Sequence, residues 1–158
     1  MNSNTGFILT SESFSDGQQM FVRNTGEAEN LSPQMAWSGE PTNAKSFALV
    51  CEDPGTSRGT WYHWGIYDIP LHVKSLPEGL VTSHQVGPFR QVLNDSGSFG
   101  YDGPMPPRGS GVHHYIFRLM ALDVEKLEIK PSANVVDLMR TAEPHVVGEA
   151  RITGLYER

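Results

Sequence analysis

Residues 51–64 read CEDPGTSRGTWYHW, and the segments on either side of them have the composition of β-strands. Pro54, Gly55 and Gly59 are turn residues: proline presets its φ, and glycine takes conformations that other residues resist. Before the turn stands KSFALVCE (45–52), apolar and β-prone, which reads as a central strand buried on both faces. After it stands WYHWGIYDI (61–69), aromatic and β-prone, closed by Pro70. Strict alternation predicts Trp61, His63 and Gly65 on one face and Tyr62, Trp64 and Ile66 on the other. The stretch therefore offers a carboxylate, Asp53, and an imidazole, His63, across a turn-rich connection.

A second polar group lies about fifty residues on, in GPMPPRGSGVHHY (103–115). VHHYIFRLMAL (112–122) is the longest strand candidate, and its His113 and Tyr115, two apart, share a face. The segment 94–111 before it is rich in Gly, Pro, Asp and Ser and is too long to be a mere connection; such loops carry function. These features predict one small pocket floored by Asp53, His63 and His113. Shorter strands are expected at 7–9, 34–37 and 89–93, with turns at 39–43 and 74–79, a polar loop over 23–32, and 14–22 ambiguous. Ser132 is a candidate N-cap for a helix carrying Val135, Val136, Leu138 and Met139. Pro144 should end or kink it, 145–150 could resume as helix, and 150–156 reads as a last strand. The sum is an all-β chain, a sandwich or partly open barrel, with one or two short helices near its C-terminal end.

Composition bounds the rest. A chain of 158 residues, 38% hydrophobic, fits one domain with a real core. No run approaches the roughly eighteen apolar residues of a membrane helix, and the N-terminus has no secretory pattern. The single cysteine, Cys51, excludes an internal disulfide and reads as a small buried apolar residue, which suits a cytoplasmic setting. A net charge of -6 without a Lys/Arg cluster argues against nucleic acid or an anionic membrane as partner. There is no G-x-S-x-G, P-loop or dinucleotide fingerprint. Ser110 stands in G-S-G with no base recognisable from sequence. His72, His84 and His145 fall in turn or helix contexts, and Pro104, Pro106 and Pro107 most simply stiffen their loop.

Several segments together resemble the phosphatidylethanolamine-binding protein family, also called Raf kinase inhibitor proteins, in its short bacterial and archaeal branch. ENLSPQMAWSG (29–39) is similar to the family's N-(I/L)-S-P-x-x-x-W segment. Asp53-Pro54 followed by Trp61-Tyr62-His63-Trp64 resembles its first signature, and YDGPMPPRGSGVHHYIF (101–117) its second. LPEG (76–79) and PHVVGEARITGLYER (144–158) add to the likeness, which runs from about Asn24 to Arg158. The resemblance implies a sandwich of two antiparallel sheets with a small anion-binding pocket at one end. It implies pocket residues Asp53, Trp61, His63, Gly103, Pro106, His113 and Tyr115; Tyr101 and Asp102 read as loop-fixing groups rather than ligands to substrate. The implied ligands are phosphate, acetate or a phospholipid head group. Two positions depart from the signatures. Gly55 and Ser57 replace an Asp and a Pro, which predicts a less acidic and more mobile rim. His114 replaces an Arg, and it should face away from His113. The eukaryotic helix that borders the pocket has no counterpart here, so access should be more open, and kinase inhibition is not implied.

The chemistry is consistent with that implication. Imidazolium groups and fixed backbone N–H groups hold anions, and a carboxylate beside an imidazole orients it and favours its protonated form. This reading assigns no catalytic residue, metal or cofactor, names no protein partner, and is compatible with a homodimer. Two alternatives stay open: a kinase or protease inhibitor or scaffold acting through its surface, and an enzyme using Asp53, His63 and His113 as a two-His, one-carboxylate metal site.

Overall fold

The computed structural model describes residues 6–158. In chain order its elements are β1 (Ile8–Thr10), β2 (Gln18–Gln19), β3 (Met35–Ser38), β4 (Ser46–Thr56), β5 (Gly59–Pro70), β6 (Ser75–Leu76), β7 (Gln85–Val86), β8 (Phe89–Gln91), β9 (His113–Leu122), α1 (Val135–Ala142) and β10 (Val146–Tyr156). They form two sheets: three strands in the order β1-β3-β6, and seven in the order β2-β10-β9-β4-β5-β8-β7. Pairing is antiparallel except at one edge, where β2 lies parallel to β10 through Gln18↔Gly154 and Gln19↔Leu155.

β4 is the central strand that its composition predicts, and both of its faces are covered. Phe47, Leu49 and Cys51 point into the sandwich, with Leu9, Met35, Trp37 and Leu76 of the small sheet and Phe117 and Leu119 of β9. Ala48 and Val50 point the other way, onto Val135, Leu138 and Ala142 of α1. Cys51 is buried with a free thiol that burial pushes well above its ordinary pKa, so it fills space rather than reacts.

β5 departs from the predicted alternation. Its register against β4 slips between Tyr62↔Glu52 and Trp64↔Cys51, leaving His63 as the extra residue of a β-bulge. Trp64 and Ile66 consequently sit in the sandwich core. Gly65 instead turns toward the helix, where an added Cβ would lie 2.5 Å from Val92. Trp61, His63 and Trp64 thus share a side that strict alternation would have divided.

The C-terminal third corrects two further expectations. The N-cap of α1 is Asn134, not Ser132. Asn134 accepts from the Asp137 amide at 2.9 Å and Asp137 accepts from the Asn134 amide at 3.1 Å, a reciprocal box that satisfies two donors at once. Pro144 ends the helix in a single 3₁₀ turn, Glu143–His145, and the chain does not resume as helix. It enters β10 at Val146, whose β-branched pair Val146-Val147 extends along β9. Ser75–Leu76, expected as a turn, supplies the third strand of the small sheet by pairing with β3. No helix among the described residues is long and apolar enough to cross a membrane.

Candidate functional site

The end of β4 carries Asp53 into the molecule, only 2% exposed, opposite Trp61 of β5. One carboxylate oxygen, Oδ1, accepts from the Gly55 amide at 2.8 Å. The glycine that replaces the acidic residue of the family signature therefore closes a local turn onto Asp53. The other oxygen, Oδ2, lies 2.6 Å from Nδ1 of His113, the first residue of β9. Nε2 of the same ring is 3.0 Å from Oγ of Ser110. His113 and Tyr115 stand on one face, as their spacing predicts, with the rings stacked at 6.4 Å. The His63 ring meets Tyr115 edge-on at 5.2 Å. His114, between the two, is exposed and points away.

The long loop forms the remaining wall. His63 Nδ1 donates to the Asp102 carbonyl at 2.6 Å, and the Asp102 amide donates back to the His63 carbonyl at 3.1 Å. The Asp102 carboxylate accepts from Asn30 Nδ2 at 2.8 Å and from Ser96 Oγ at 2.6 Å, while Asn30 Oδ1 takes the Gly103 amide at 2.7 Å. Tyr101 Oη donates to the Asn24 carbonyl at 2.5 Å. Asp102 and Tyr101 are thus loop-fixing groups, as expected. Gly103 sits where no side chain fits, since a Cβ would fall 2.4 Å from the Asn24 carbonyl oxygen and 2.7 Å from Tyr101 Oη.

These parts enclose a cleft of about 520 Å³. Asp53, Trp61, His63, Gly103, Pro106, His113 and Tyr115, named from sequence, all line it. Asp102, Ser96, Thr56, Met105 and Ser110 line it too and were not anticipated there, and Gly55 and Ser57 of the rim line it as well. For Ser110 a signal existed: in G-S-G-V-H it precedes His113 by three residues across the loop-to-strand junction, within reach of the ring. The lining contains no Lys or Arg. Among the described residues no group of three His, Cys, Asp or Glu is close enough to share a metal ion. Asp53, His63 and His113 face one cleft without converging on one point.

The two imidazoles differ. The one with a carboxylate partner is His113, not His63. Burial pushes the His63 pKa below the ordinary value, and the Asp102 carbonyl and the Asp53, Asp102 and Asp95 charges only partly offset it. His63 is therefore held neutral, with Nδ1–H committed to the Asp102 carbonyl and Nε2 left as an acceptor. Burial, followed by the Asp53 charge, raises the Tyr115 phenol far above its usual range, so its hydroxyl keeps its proton and remains a donor.

A pH dependence follows for His63. The unfolded chain takes up a proton near ~6.5, whereas the fold resists it. The stabilisation is complete above that value and is lost as pH falls through it, levelling off below the folded pKa. Urea melts of the wild type and His63→Gln between about pH 4.5 and 8 should show the wild-type advantage shrinking on acidification. Parallel curves would contradict the neutral assignment.

The sequence matches the family model described as phosphatidylethanolamine-binding protein over residues 10–157. Among curated relatives, a UPF0098 protein of Methanothermobacter thermautotrophicus is 42% identical over 151 residues, covering 95% of this chain and 98% of its own length. A UPF0098 protein of Aquifex aeolicus is 38% identical, covering 94% of this chain and 86% of its own. The crystal structure of Escherichia coli YbcL, described as a new member of the mammalian PEBP family, superposes with a TM-score of 0.91 at 31% identity, covering 97% of this chain and 99% of YbcL.

Proposed function

This chain belongs to the phosphatidylethanolamine-binding protein family, and from that premise we propose that its cleft binds small anionic ligands: phosphate, a carboxylate such as acetate, or a phospholipid head group. Occupancy of the cleft would then modulate a protein partner. The observation that carries this reading is the buried Asp53–His113 contact at 2.6 Å on the floor of the cleft. A carboxylate so placed fixes the ring, and in a lining that has no Lys or Arg this reading assigns protonated His113 as the cation that meets the anion. The protonated Tyr115 phenol is the neutral donor of the lining, since the loop amides of Ser96, Asp102, Gly103 and Ser110 are already bonded within the protein. His63, with Nε2 as an acceptor, suits a hydroxyl or ammonium on the ligand better than a bare anionic oxygen.

His113→Ala should remove acetate and phosphate binding while the fold survives, because Phe117, Leu119 and Ala121 keep β9 in the core. Calorimetry with each anion and a thermal melt of the variant check this. Unchanged binding would remove His113 from the site, and a collapsed melt would make it structural. The protonated ring is the binding form, so acetate affinity in the wild type should weaken as pH rises from about 5.5 to 8.5. Acetate keeps a single charge across that range, and a flat profile would count against imidazolium binding.

A further inference from the structure

Asp53, His113 and Ser110 form a continuous relay. Asp53 Oδ2 is 2.6 Å from His113 Nδ1, and His113 Nε2 is 3.0 Å from Ser110 Oγ. The carboxylate is buried, the imidazole is 7% exposed, and the serine is on the open rim of the same cleft. An acid that holds Nδ1–H leaves Nε2 as the base of the neutral ring, and the base lies within hydrogen-bond reach of a hydroxyl that solvent and ligand can approach. This is the arrangement that activates a serine, and it is recognised by geometry rather than by order in the chain. We propose that Ser110 is a nucleophile, and that the cleft accepts an acyl group from small carboxylic esters.

In the first step the Ser110 Oγ–C bond forms at the ester carbonyl and the ester C–O bond breaks. The serine proton passes through His113 Nε2 to the departing alkoxide, which leaves as the alcohol. Water, deprotonated by the same nitrogen, then attacks the acyl-serine; the carboxylic acid leaves and the serine regains its proton. Tyr115 lines the cleft with a phenol that keeps its proton, and the proposal assigns it as the donor to the negative charge that develops on the carbonyl oxygen. In the resting state the Ser110 hydroxyl also has the Pro107 carbonyl within reach at 2.6 Å, so its single proton must turn from that acceptor to Nε2 before attack. The acid released is a small carboxylate, the same class of ligand as the one proposed to bind.

The two activities need opposite forms of His113, charged for holding an anion and neutral for activating serine, and pH separates them. The titratable groups that line the cleft with His113 are Asp53 from β4, His63 from β5, Asp102 from the loop and Tyr115 from β9 itself.

The test is labelling of the full chain by a small alkyl fluorophosphonate, in which the Oγ–P bond forms as P–F breaks, read by intact mass and peptide mapping. The expected result is one adduct, on Ser110, formed faster as pH rises between about 5 and 8 and slowed at least about a hundredfold in His113→Ala. Ser110→Ala should take no label. No adduct on Ser110 in the wild type, an adduct on another residue that persists in Ser110→Ala, or an undiminished rate in His113→Ala would each overturn the proposal. The wild-type measurement stands even if a variant is unstable. Labelling of Ser110 without acetate binding would uphold this inference and reject the binding function, whereas acetate binding without labelling would do the reverse.

Discussion

Trp64→Ala is expected to cost about 3–5 kcal/mol of stability. For a chain of this length that lowers Tm by roughly 6–20 °C. Trp64 is wholly buried, packed edge-on against Tyr101 at 5.5 Å and Phe117 at 6.5 Å. Its Nε1–H donates to Gln91 Oε1 at 2.7 Å, and Gln91 Nε2 in turn holds the Val81 and Ser83 carbonyls at 2.8 and 2.9 Å. Removing the indole opens a cavity and orphans an acceptor that fixes the 81–83 segment. Trp64→Phe separates the two effects, keeping most of the apolar area and leaving the acceptor unpaired at about 1–3 kcal/mol. Chemical denaturation of both variants checks the order. A Phe variant as unstable as the Ala variant would show that the Gln91 bond, not the packing, dominates.

The second large effect falls on the cleft. Asp53→Ala deprives both the Gly55 amide and His113 Nδ1 of their acceptor, at a cost of about 1.5–3 kcal/mol. Its effect on binding has a diagnostic sign. If Asp53 acted only as a negative charge near the ligand, removing it would tighten anion binding. If it orients His113, removing it should weaken acetate affinity by about tenfold or more, equivalent to ~1.4 kcal/mol. Asp53→Asn sharpens the comparison, because the amide can keep the Gly55 contact through its oxygen while losing the charge. Calorimetry on both variants gives the sign, and tighter binding in either would reject the orienting role of Asp53.

The long strands were legible because their residues specify them locally. KSFALVCE has no polar face to give to solvent, and VHHYIFRLMAL is too apolar for anything but a core strand. The polar residues of the cleft were legible through motif order, and His113 and Tyr115 through strand periodicity as well. The bulge at His63 was not, because it exists only in the pairing of β5 with β4 and leaves no mark in WYHW itself. β2, β6 and β7 are two residues each and owe their conformation to partners distant in the chain. Val146-Val147 followed a helical pattern and a proline, and only the open edge of β9 decides that they extend. Asn30 was out of reach for the same reason: it secures Asp102 and Gly103 from more than seventy positions away.

The place of β10 in the large sheet has a consequence for how the chain acquires its shape. β10 fills the slot between β9 and the parallel edge strand β2, so residues 18–19 have no partner until residues 154–155 arrive. A chain growing on the ribosome can pair β4 with β5, and later β4 with β9, but the outer edge of β9 stays open until β10 (Val146–Tyr156) has emerged. Closing that span means bringing together residues 18–19 and 154–155 before the contacts that reward it form, the condition under which loop-closure entropy slows folding. From the emergence of β9 until β10 follows it, the nascent molecule therefore carries an unpaired, largely apolar strand edge, and that interval is when it is most exposed to association with other chains.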